Sequence, residues 1–178
     1  MRLKGASSMQ EEFLPILRSL KENIGELINP LDAAQLEFYG ENSNKVQDSL
    51  DLIMGELTIT VLWLTESDAE ISSSELELIN DMRHVVLGYG IPELTSNDYF
   101  DLLRQFRKLY PKNRVTVDNL PISILVLQNY DKKHNTEFAN KVRRIFINFA
   151  DAIVMADKNK NPSEYVGLEY FKGVLNAE

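Results

Sequence analysis

Ser67-Asp68-Ala69-Glu70-Ile71-Ser72-Ser73-Ser74-Glu75 and Ala156-Asp157-Lys158-Asn159-Lys160-Asn161-Pro162-Ser163-Glu164 are two copies of one pattern. In each, an aspartate is followed seven positions later by a glutamate, and both carboxylates recur at an offset of 89 residues. Val61, Leu62 and Leu64 precede the first copy; Ala150, Ala152, Ile153 and Val154 precede the second. Leu76, Ile79 and Met82 follow Glu75, and Tyr165, Leu168 and Phe171 follow Glu164 at the same distances. Spacings of three and four residues mark one face of a helix. Each copy therefore reads as helix, acidic turn, helix, and such a repeat organises the interpretation of the chain around it.

Helical periodicity extends outward from these turns. Phe13, Ile16, Leu17, Leu20, Ile24, Leu27 and Ile28 form one helix face that Pro30 is expected to end, with Pro15 tolerated in the first turn. A short helix is expected from Leu31 to Tyr39, then a polar loop over Gly40 to Asn44. Val46 to Thr65 is apolar on several sides, which places a helix at the centre of its domain despite the β-branched run from Thr58 to Val61. Ser72 to Leu87 is the next helix, ended by Gly88 to Pro92. Ser96 or Asn97 is expected to cap a helix to Leu109 packed through Phe100, Leu103, Phe106 and Leu109. Val115-Thr116-Val117 reads as a linker or brief strand. Asp118 or Asn119 then opens a helix burying Ile122, Leu125 and Val126. Asn135 or Thr136 caps a long helix through Val154, and the last runs from Pro162 to Leu175. No alternating strand pairs occur. The expectation is all-α: one compact helical domain of about seven to eight helices containing two pseudo-repeated helix–acidic turn–helix units.

A chain of 178 residues, 44% hydrophobic and 26% charged, has enough material for one sizeable core. It contains no cysteine, which excludes disulfides and thiolate metal sites and fits a cytoplasmic location. Residues 1–8 are expected to be a disordered leader or expression remnant, because Met9 is itself a plausible start. No apolar run reaches the roughly 18–20 residues of a membrane helix, so membrane insertion is not expected. A formal charge of −8 weighs against nucleic acid as a partner. Charge is segregated: six acids and no Lys or Arg lie between Leu57 and Met82, whereas Arg104, Arg107, Lys108, Lys112 and Arg114 surround Asp101.

The glutamates have a structural explanation. Ser72 and Glu75, and likewise Asn161 and Glu164, have capping-box spacing, and Pro162 fits the first helical position. Asp68 and Asp157 are different, since each stands near the end of an incoming helix, where the dipole disfavours an anion and a hard cation would offset it. Asp157, Asn159 and Asn161 share the oxygen spacing of an EF-hand, but Pro162 and Leu168 stand where that loop requires glycine and a bidentate acid. An EF-hand is therefore excluded. His84 and His134 are the only histidines, and both read as structural.

Both nine-residue stretches resemble the Ala-Asp-Gly-x-Ile-Ser-x-x-Glu signature of the tellurite-resistance TerB-like domains. The resemblance covers residues 46–178, with 9–45 as an N-terminal helical extension forming one unit with them. It implies an all-helical fold of two related halves and an acidic surface patch that binds calcium or another divalent cation. The metal ligands it implies are Asp68, Glu75, Asp157 and Glu164, and Asn159 is a further candidate ligand from the oxygen spacing of the second turn. Ala69 and Lys158 replace the glycine of the signature, and Lys160 replaces its apolar residue.

The function expected from these features is non-enzymatic: a regulatory or scaffold module, associated with stress response, that meets a protein partner through the acidic patch. One alternative is a metal-assisted hydrolase of a phosphorylated substrate, with the Arg104–Arg114 cluster as phosphate clamp. Another is an accessory domain of a larger NTPase or stress-response system.

Overall fold

Phe13, Leu17, Leu20, Ile24, Leu27, Leu31 and Ala34 recur at alternating spacings of four and three, and all are buried. That stripe holds together one long helix, α1 (Ser8–Tyr39). The computed structural model describes residues 8–41, 43–65, 71–88, 90–109, 120–156 and 162–176. Among these lie α2 (Ser49–Thr65), α3 (Ser73–Leu87), α4 (Ser96–Leu109), α5 (Ile122–His134), α6 (Phe138–Ala156) and α7 (Pro162–Asn176), with no strand. The fold is all-α, as the periodicity indicates. The expected leader falls almost entirely outside the described residues, as does Val115–Val117.

Pro30 does not end the first helix, and Pro15 sits well inside it rather than in its first turn. An interior proline costs on the order of 3 kcal/mol. Beyond Pro30 the buried stripe continues through Leu31 and Ala34, each apolar side chain returning about 1.5–3 kcal/mol when fully buried if it is as large as leucine. Gln35, fully buried, fixes the end of α1: its amide nitrogen donates to the Gln47 carbonyl and the Ser49 hydroxyl, and its oxygen accepts from the Gln47 amide, all at 3.0 Å. The chain can then reverse at Gly40, whose φ of 87° suits glycine.

α6 is the central element. It packs against α1, α2, α3, α5 and α7, and buries Val142, Phe146, Phe149, Ala150, Ile153 and Ala156. α2 is buried on several sides, as its composition indicates, and touches α1, α4, α6 and α7.

Two helices turn a different face inward from the one expected. In α4, Tyr99 and Leu103 are buried and Phe100 is exposed. Its cap is Thr95, whose hydroxyl accepts from the Asp98 amide while Asp98 accepts from the Thr95 amide at 2.9 Å. In α5, Ser123, Ile124, Val126 and Leu127 are inside, whereas Ile122 and Leu125 are exposed.

Asn135 and Thr136 do not cap α6. Asn135 adopts the left-handed conformation that ends α5, with φ 53°. Asp131 supplies the cap instead, accepting from the amides of Phe138 at 3.0 Å and Ala139 at 2.8 Å.

Candidate functional site

The helices that follow the two acidic stretches keep the offset of the sequence repeat. α3 spans residues 73–87 and α7 spans 162–176, an offset of 89 at both ends. α2 and α6 start at 49 and 138, again 89 apart. Burial follows the offset: Ile53 and Val142, Leu57 and Phe146, and Met82 and Phe171 are each 0% exposed. α2 packs on α7 and α3 packs on α6, so each pair of helices is crossed with the other.

Ser72 caps α3 through a complete capping box. Its amide donates to Glu75 Oε2 at 2.8 Å, and the Glu75 amide donates to Ser72 Oγ at 3.2 Å. Glu75 is 2% exposed. Glu164, the third residue of α7, is 1% exposed, and Pro162 occupies the first helical position. A carboxylate in the first turn is favoured by the helix dipole, which offsets part of the cost of burying it. Both glutamates are therefore buried in the first turn of a helix, and Glu75 anchors the start of α3.

Asp68, Asp157 and Asn159 lie outside the described residues, as do Ala69, Lys158, Lys160 and Asn161. Among the described residues no group of three or more His, Asp or Glu is arranged to hold a metal ion. Of the basic cluster, Arg104 forms an exposed ion pair with Asp101 at 3.2 Å, and Lys112 and Arg114 lie outside the described residues. No described helix is long and apolar enough to cross a membrane.

Both histidines make polar contacts close at hand. His84 Nε2 lies 3.3 Å from the Ile91 carbonyl, and His134 Nε2 lies 2.8 Å from Glu37 Oε1. That hydrogen bond from His134 is the main influence holding Glu37 below the usual carboxylate range. Trp63 is buried against Phe171 and Tyr170, at ring distances of 5.7 and 6.0 Å. Tyr170 and Tyr165 remain exposed at 42% and 38%, so the last helix contributes Phe171 to the core and its two tyrosines to the surface.

Two features were not anticipated from the residues alone. A cleft of about 390 Å³ opens between α1 and α6, floored by Ile16, Leu20, Ile145 and Ala152. Glu56 is buried on α2 and bonded to the start of α5. An acid between Met54 and Leu57, on a helix apolar on most sides, was the available signal.

No family model matches the chain, and it matches neither a curated protein nor a solved structure. The resemblance to TerB-like domains thus rests on the two nine-residue stretches of sequence alone.

Proposed function

We propose that this chain is a non-enzymatic, TerB-like helical module that works by binding. In this reading the turns at 66–70 and 157–161 form an acidic patch for a protein partner in the cytoplasm. The patch holds calcium or another divalent cation weakly through Asp68, Asp157 and Asn159. The observation that carries it is the shared offset: the 89 residues relating the carboxylates also relate the bounds of α3 and α7 and the start of α2 and α6. A repeated helix register on either side of the two acidic stretches supports their being used as a pair.

The capping role of Glu75 supports binding over acid–base chemistry. An oxygen that already accepts a backbone N–H at 2.8 Å serves the helix start. It also narrows the candidate ligands: Glu75 serves the start of α3 and Glu164 is buried, which leaves the cation to Asp68, Asp157, Asn159, backbone carbonyls and water. Hard cations of this kind take six or more oxygens, so a site with few side-chain donors has low affinity.

Calorimetric titration with calcium tests the reading. Saturating heat in the millimolar range is expected for the wild type, and its loss for Asp68→Asn combined with Asp157→Asn. No heat and no change in melting temperature for the wild type would remove the cation from the proposal.

A further inference from the structure

Glu56 sits in a helix that buries mostly apolar side chains, Ile53, Met54 and Leu57 among them, and is itself only 9% exposed. It reaches across to the first turn of α5, where the Ser123 amide donates to Oε1 at 3.2 Å and the Ser123 hydroxyl donates to Oε2. α5 needs such a partner. The first amides of a helix lack intrahelical acceptors, and Pro121, at the N-cap, provides no side-chain hydrogen bond. Glu56 is thus a cap contributed by another helix. The residue 89 positions on is Ile145, buried at 3% in α6, so an apolar side chain fills the corresponding place there.

A carboxyl held this way is caught between opposing influences. Loss of water favours the neutral acid, while the Ser123 hydroxyl and the amides of Ser123 and Ile122 favour the anion. Burial is the larger influence and pushes Glu56 from the ordinary 4.5 up to about 7. Among the described residues, no charged side chain on α2, on α5 or on the helices packed against them contributes to this balance.

We propose that Glu56 and the first turn of α5 form a proton-operated joint, closed while the carboxyl is protonated and loosened as it ionises. In the open joint Glu56 is hydrated and returns to its ordinary acidity. The closed state therefore binds the proton more tightly. Its stability is complete below about pH 4.5 and is lost as pH rises through about 7. α5 packs against α1 and α6 and buries Ile124, Val126 and Leu127, so loosening its first turn acts on the core those helices share.

Amide hydrogen exchange on the full chain tests the joint, read at residues 123–127 and corrected for intrinsic exchange. Between pH 5 and pH 8 the opening of these amides should rise about 70-fold in the wild type. In Glu56→Gln, which keeps the shape and cannot ionise, it should stay flat. The same rise in both proteins overturns the proposal. If Glu56→Gln does not fold, Ser123→Ala serves, with the Glu56 carboxyl followed by carbon NMR. Removing a donor to the anion should move its midpoint to higher pH; an unmoved midpoint, or a wild-type midpoint near 4.5, overturns the joint.

Discussion

The pair α2–α3 and the pair α6–α7 share a register and diverge in chemistry. Ile53, Leu57, Met82 and Glu75 are buried in the first; Val142, Phe146, Phe171 and Glu164 are buried at the corresponding places in the second. Elsewhere the correspondence changes character. Glu56 faces Ile145 in the comparison, and Thr60 faces Phe149. On the outer side, Glu77, Asp81 and His84 of α3 correspond to Val166, Tyr170 and Gly173 of α7. The neighbours explain much of this. α3 lies against α1 and α6, and Asp81 is pushed upward by burial and then by Glu77. α7 lies against α6 and α2, and Tyr170 rests on Trp63. Register fixes which positions go inside, and the surrounding helices fix what can stand there.

The largest effect should come from the shared interior. Phe171→Ala is expected to cost about 3–5 kcal/mol and Met82→Ala about 2–5 kcal/mol, measured by urea unfolding. A negligible loss at either position would break the equivalence of the two helices.

Next is the carboxyl that only one pair contains. Stability of the wild type should fall by about 3 kcal/mol from pH 4.5 to pH 8 through Glu56 alone, because its folded value lies about 2.5 units above the ordinary one. The difference between wild type and Glu56→Gln isolates that contribution. It should be near zero for a control change at Ile145.

Caps come third. Ser72→Ala should cost about 1 kcal/mol, and Asn161→Ala the same if the two turns start their helices alike. Unequal losses would show that the copies differ at the turn itself.

The smallest effect concerns a pair without a counterpart. Lys172 on α7 reaches Asp151 on α6 at 2.6 Å, whereas the positions 89 residues earlier are Arg83 and Leu62. The Asp151 carboxylate holds the Lys172 ammonium above its usual range. Lys172→Ala should cost only about 0.5 kcal/mol, and less in high salt, as thermal melts would show.

Features set by neighbours in sequence were legible. The capping box of Ser72 and Glu75, the start of α7 at Pro162 and the all-helical class follow from spacing alone. Features set by distant partners were not. Pro30 is a local stop signal, and it is overridden because Leu27, Leu31 and Ala34 continue a stripe buried by other helices. Ser123 turns inward because Glu56, 67 residues away, bonds to it, and that contact tips Ile122 and Leu125 outward. The inner face of α4 begins with Tyr99 rather than Phe100, a rotation that apolar spacing alone does not resolve. The candidate site divides along the same line. Glu75 is explained by local capping, while Asp68, Asp157 and Asn159 lie outside the described residues.

Manganese relaxation NMR tests the pairing of the two turns most directly, because the ion broadens only amides close to it. Substoichiometric manganese should broaden the amides of Ser72 and Glu75 together with those of Ser163 and Glu164, and Asp68→Asn with Asp157→Asn should abolish both effects. Broadening at neither turn, or spread evenly over the acidic surface, would contradict a duplicated cation-binding module.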